Sequence, residues 1–231
     1  MSAPSGVDWK ELIPPIAHDV RALVRKGLSN AQFLEKLIKP EAGAEVSTHL
    51  RAVIESQFDL NRLFVRLIAL ADADNRSHKT SLHPADTTDL ETAILGAKLE
   101  CRDALQRSGG ELVIGPLPPC VIPQKTQTVL KELFDNSIRY ADPDRPPRVE
   151  IIASREAGKL QVRVADNGSG LPAAYTGKLF QPMQRLDATR SGFGLGLAIA
   201  KAVLEAAGGG ISYEASDPGA VFIFELPYRD A

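Results

Sequence analysis

The hydrophobic period changes part-way along this chain, and that change limits the folds open to it. In residues 16–74 apolar side chains recur at three- and four-residue steps. Ile16, Val20 and Leu23, then Leu34 and Leu37, make a first set; Leu50, Val53, Ile54, Phe58, Leu60, Leu63, Phe64, Leu67 and Ile68 make a second. That period lays an apolar stripe along an α-helix. Pro40 and Gly43, within KPEAGAE (39–45), stop the first pattern. Two amphipathic helices with a short connection predict an antiparallel hairpin over residues 8–75. One hairpin leaves its stripe half covered, so the pattern predicts a homodimer in which two hairpins form a four-helix bundle. Pro14 and Pro15 start or kink the first helix.

After the polar stretch DADNRSHKTSLHPADT (72–87) the period becomes mixed. A helical pattern (about 88–108 by its periodicity) leads to ELVIG (111–115), then to a second helix over the 120s and 130s. In RVEIIAS (148–154) Val149, Ile151 and Ala153 alternate, as do Leu160, Val162 and Val164 in KLQVRVADNG (159–168). Alternation of this kind belongs to half-buried strands. A Gly-rich stretch, another helix and a terminal hairpin complete residues 79–229, which read as an α+β sandwich with helices on one face of a sheet.

A chain of 231 residues holds one large domain or two modest ones. Its net charge of −2 leaves no footprint for nucleic acid or an anionic membrane. No apolar run approaches the ~18–20 residues of a membrane span, and MSAPSGVDWKELIPP has no signal-peptide core, so a cytoplasmic protein is expected. There Cys101 and Cys120 are expected to stay thiols. His and Cys are too scattered to predict a metal cage of their own.

The chemistry concentrates in three places. In VLKELFDNSIRY (129–140), Val129, Leu130, Leu133, Phe134 and Ile138 form a packing stripe, with Glu132, Asp135, Asn136 and Arg139 on the other side. Asn and Asp are poor in helix interiors because their side chains compete for backbone hydrogen bonds. A solvated face explains them as well as a function does on these residues alone. DNGSGLP puts Asp166, Gly168 and Gly170 at a strand end, which simple turn chemistry also explains. In GFGLGLAIA, Gly192, Gly194 and Gly196 run into a helix, whose free N–H groups and dipole attract anions such as phosphate.

The order of these pieces, from Glu-x-x-x-Asn on a helix through Asp-x-Gly-x-Gly and LFQPMQR to Gly-x-Gly-x-Gly, resembles the ATP-binding domain of sensor histidine kinases. The wider superfamily includes gyrase, chaperone and mismatch-repair ATPases. The likeness spans about residues 88–228, and its motifs are the N box (132–140), G1 box (166–170), F box (179–185) and G2 box (192–197). It implies an α/β sandwich of the Bergerat type that binds ATP with Mg²⁺. By this resemblance Asn136 ligates Mg²⁺ between the phosphates, a task suited to a neutral oxygen beside a cation that keeps several waters. Glu132 orients a magnesium-bound water or acts as a base. Arg139 stands near the phosphates, Tyr140 beside the nucleotide, and Ser137 where the family has a small residue. Asp166 accepts a hydrogen bond from the adenine amino group, with Gly168 and Gly170 beneath the base. Gly192, Gly194 and Gly196 bring amides to the phosphates, and Arg185 stabilises the transferring group.

His18 heads HDVR, on the outward side of the first helix. The segment resembles the phosphoacceptor box of the same kinases, which makes His18 the nucleophile and Asp19 the acceptor of its other ring proton. Where that family has Thr or Asn and then Pro, this chain has Ala22 and Leu23. Ala places no water, so dephosphorylation of a partner is not expected. The implied reading is a two-component histidine kinase that autophosphorylates His18 and passes the phosphoryl group to an aspartate of a response-regulator receiver domain. No sensor segment is read, which implies either a fragment or input from a separate sensor protein. Two alternatives stand: an inactive phosphotransfer or scaffold protein, and an anti-sigma-type serine kinase.

Overall fold

The computed structural model describes residues 24–32, 34, 44–75, 86–156, 158–171, 173–185 and 193–230. It divides into two compact units, Met1–Asn75 and Arg76–Ala231.

In the first unit residues 24–32 and 34 are helical, and α1 runs from Ala44 to Asn75. Val24 and Ala31 are buried. A Cβ placed on Gly27 would sit 3.2 Å from the Gln57 carboxamide, so the two helical stretches touch there through a residue without a side chain. Along α1, Val46, Leu50, Val53, Gln57, Leu60 and Phe64 alternate at four- and three-residue steps, the spacing of a coiled-coil seam. Leu50, Gln57 and Phe64 are half-buried, whereas Val46, Val53 and Leu60 are 50%, 48% and 38% exposed.

The second unit is a mixed α/β sandwich. Its helices are α2 (Leu90–Arg107), α3 (Thr126–Arg139) and α4 (Gly196–Ala206). Asp89 starts α2 by accepting the Thr92 N–H at 2.7 Å, with Glu91 in the first turn and Arg107 in the last, both favourable to the helix dipole. The strands are β1 (Thr87–Asp89), β2 (Glu111–Ile114), β3 (Cys120–Pro123), β4 (Arg148–Glu156), β5 (Lys159–Asp166), β6 (Gly210–Ala215), β7 (Ala220–Leu226) and β8 (Arg229–Asp230). Five form a sheet in the order β2-β4-β5-β7-β6, with β2 parallel to β4 and the other pairs antiparallel. The alternation of β4 and β5 becomes a buried face in register: Ile151 lies opposite Val164, Val164 opposite Phe222, and Val162 opposite Phe224. The stripe of α3 packs between α2 and α4.

A second sheet, β1-β3-β8, was not visible in the hydrophobic pattern. Its strands are two to four residues long, and Pro116, Pro118, Pro119 and Pro123 crowd the central one, so no alternation develops. The polar stretch 72–87 is structured at both ends, since α1 continues to Asn75 and β1 begins at Thr87.

Phe222 is fully buried, with its ring 5.7 Å from that of Tyr213. Phe222→Ala should cost about 3–5 kcal/mol through lost burial and the cavity left behind. Urea unfolding should show the midpoint fall by the corresponding amount, and an unchanged midpoint would place Phe222 outside the core.

Candidate functional site

Helix α3 divides the work of this unit by face. Val129, Leu130, Leu133 and Phe134 are buried, and Ser137 continues that stripe, while Ile138 is only half-buried. Glu132, Asn136, Arg139 and Tyr140 line a cleft of about 880 Å³ that opens to solvent. Glu132 is buried at its edge. Asp135 does not join them. It accepts the Cys101 thiol at 3.3 Å and the Lys131 ammonium at 2.6 Å, facing α2 instead. Burial, and then the charge of Asp135, push the Cys101 thiol up to about 12, so this cysteine packs and does not react. Lys131 also lies 3.8 Å from the Glu132 carboxylate.

Asp166 closes β5 and reaches the cleft from the sheet. Its Oδ1 accepts the Gly168 N–H at 2.9 Å and the Ala220 N–H at 3.1 Å, and its Oδ2 lies 3.1 Å from the Ser137 hydroxyl. Burial nevertheless raises its pKa above the usual carboxylate range. The loop behind it is fixed. Asn167 accepts the Arg148 N–H at 2.8 Å and donates to the Pro146 carbonyl at 3.0 Å. The N–H and hydroxyl of Ser169 both donate to the Tyr140 carbonyl at 3.1 Å, joining this loop to the end of α3.

Gly219 has φ +96, and a Cβ there would collide with the Asp166 carbonyl. It is a site residue that sequence reasoning missed, although the turn signature Pro-Gly before β7 pointed to it. Gly170 lines the cleft beneath Asp166. Gly194, at φ +66, also lines the cleft and lies so close to the Gln184 carbonyl that a side chain would collide with it. Gly194, Gly196 and Leu197 bring the start of α4 to the cleft, and Leu195 caps that helix without a side-chain hydrogen bond. The first-turn amides of α4 therefore have no intrahelical partner to take them away from an anion. Lys178 and Arg185 add positive charge to the wall, and Leu171, Tyr175 and Leu179 add apolar surface.

The structure thus brings together Glu132, Asn136, Arg139, Tyr140, Asp166, Gly170, Arg185, Gly194 and Gly196 around one cavity, with Gly168 bonded to Asp166 behind it. His18, Asp19, Ala22 and Gly192 lie outside the described residues.

Residues 122–230 match the family described as histidine kinase-, DNA gyrase B- and HSP90-like ATPase. Sensor protein VanSC of Enterococcus gallinarum is 38% identical over 108 residues, covering 45% of this chain and 29% of that protein. The phytochrome-like protein Cph1 of Synechocystis sp. is 25% identical over 229 residues, covering 96% of this chain and 30% of that protein. The chain resembles a sensor histidine kinase core. Full-length ShkA, solved in complex with AMPPNP, shares its fold at a TM-score of 0.76 and 24% identity, over 96% of this chain and 46% of that one. The chain spans under a third of the length of VanSC and of Cph1.

A divalent cation is implied by this family. Among the described residues no three acidic, His or Cys side chains gather to cage a metal. Asn136 offers one neutral oxygen at the cleft, with the Glu132 carboxylate a turn away. That donor set fits a cation that takes its remaining ligands from phosphate and water.

Asp166 gives the second unit a pH signature. Its raised pKa means that the folded chain holds this proton more tightly than the unfolded chain. The associated stability is complete below the ordinary carboxylate range and is lost as pH rises through the raised value. Asp166→Asn removes that loss, because its oxygen still accepts the Gly168 and Ala220 amides. At pH 7 the variant should unfold at no lower urea than the wild type, while ADP affinity falls about tenfold or more through loss of a charged acceptor. Unchanged ADP affinity by calorimetry would reduce Asp166 to a turn residue.

Proposed function

We propose that this chain is an ATP-dependent protein-histidine kinase of a two-component system. The observation that carries the reading is that Asp166, a half-buried carboxylate held by backbone amides, and the uncapped start of α4 line the same cleft. A base binds at the first and phosphates at the second. Asn136 would hold Mg²⁺, which would supply charge neutralisation at the phosphates. Glu132 orients a water or takes a proton, Tyr140 flanks the nucleotide, and Arg139 and Arg185 balance charge near the transferring group.

The reaction joins a ring nitrogen of His18 to the γ-phosphorus as the bond to the β–γ bridging oxygen breaks and ADP leaves. Asp19 accepts the proton of the other ring nitrogen. The phosphoryl group then passes to an aspartate of a response-regulator receiver domain. Residues 8–75 form the phosphoacceptor hairpin and residues 79–229 the ATP-binding domain. The exposed half of the α1 seam, Val46, Val53 and Leu60, supports a homodimer that covers it as a four-helix bundle. Such a kinase core draws on cytoplasmic ATP and works there, receiving its signal from a sensor segment or a separate sensor protein. No helix among the described residues is long and apolar enough to cross a membrane.

Labelling with γ-phosphate-tagged ATP tests the reading. Wild type should acquire acid-labile phosphate. His18→Gln should lose it and keep ADP binding, and Asn136→Ala should lose it while the dimer persists. Acid-stable label would favour a serine kinase, and absence of label an inactive scaffold. With Ala22 at the position of a water-placing Thr or Asn, the protein should not speed dephosphorylation of its regulator, whereas Ala22→Thr should raise that activity. A wild type that dephosphorylates the regulator without ADP would show that another residue fills the role.

A further inference from the structure

The resemblance assigned Ser137 only a small volume, yet its hydroxyl is buried against the carboxylate that faces the proposed base. Each oxygen of a carboxylate offers two acceptor directions. Oδ1 of Asp166 has both filled, by the amides of Gly168 and Ala220. Oδ2 has the Ser137 hydroxyl at 3.1 Å, while the same hydroxyl lies 3.1 Å from the Leu133 carbonyl one helical turn back. It has a single proton to give. Donation to a carboxylate is charge-assisted and stronger than donation to a neutral carbonyl that already accepts within the helix.

We propose that Ser137 is a positioning residue that sets the purine specificity of the cleft, by filling one acceptor direction of Asp166 Oδ2 and leaving a single one for a base N–H donor. The inference rests on the nucleotide reading of the cleft. A base with an exocyclic amino group at that edge, as in adenine, supplies the donor. A base with an oxo group there, as in hypoxanthine, sets a lone pair against a carboxylate. Burial works against this discrimination, because it favours a protonated Asp166 whose O–H would donate to the oxo group. Ser137 opposes that protonation, since its hydroxyl donates to the ionised form and stabilises it.

The test is calorimetric titration of the full chain with ADP and with inosine diphosphate, each with Mg²⁺. Wild type prefers ADP. Ser137→Ala, which suits a buried helical position, should bind both and lower the ratio of the two affinities by about tenfold, the loss of one hydrogen bond to a charged group. Ser137→Thr keeps the hydroxyl and should keep the wild-type ratio. An unchanged ratio in the Ala variant would overturn the role of Ser137 alone, and so would equal losses in the Ala and Thr variants. A wild type that binds neither diphosphate would overturn the nucleotide reading and this inference with it.

Discussion

The second unit is organised around one half-buried carboxylate. Asp166 accepts from the Gly168 amide in its own loop and from the Ala220 amide at the start of β7, and it meets the Ser137 hydroxyl on α3. Sheet, loop and helix are therefore joined at one side chain. Burying an ionised carboxylate is costly unless its lone pairs are satisfied. The surrounding backbone is shaped to satisfy them: Gly219 has no Cβ where one would strike the Asp166 carbonyl, and a Cβ on Gly168 would lie 2.6 Å from the Tyr140 carbonyl.

Much of this was legible in the sequence because the relevant signals are periodic or local. The alternation of β4 and β5 predicted their buried face, and the three- and four-residue steps predicted α3 and the side of it that packs. Asp166 stood out through the order of the motifs around it, because a strand end followed by two spaced glycines is by itself also plain turn chemistry. What stayed hidden depends on partners far along the chain. Asp135 shares its helix side with Glu132 and Asn136 in sequence, yet Cys101, 34 residues earlier, draws it to α2. Ser137 looked like a volume requirement because its acceptor is 29 residues later. The small sheet around Cys120–Pro123 escaped because pairing between strands two to four residues long is set by tertiary contact and not by pattern.

The same logic answers why a helix tolerates Asp and Asn together at 135 and 136. Neither side chain is left to compete for the backbone of α3. Asp135 is held by a thiol and an ammonium, and Asn136 faces the cleft. Lys131 lies between two carboxylates, 2.6 Å from Asp135 and 3.8 Å from Glu132, so the buried Glu132 has a counter-charge on its own helix. The polar face is thus two surfaces, one that docks α3 to α2 and one that faces the cavity.

That division bears on how the cleft can take a ligand. A helix presenting cleft residues on one side needs its other sides fixed, or binding energy would be lost in ordering it. Here Val129, Leu130, Leu133 and Phe134 fix α3 in the apolar core, Asp135 fixes it to α2, and the Tyr140 carbonyl receives two donors from Ser169. Another part of the cleft wall is built differently. It is a 3₁₀ turn (Ala173–Lys178) followed by Gly194 and the uncapped start of α4, with exposed Arg185 between them. Leu195 and Ile199 behind it are buried, so the amides at the start of α4 are held by the core, whereas the charges of Lys178 and Arg185 are carried on exposed side chains.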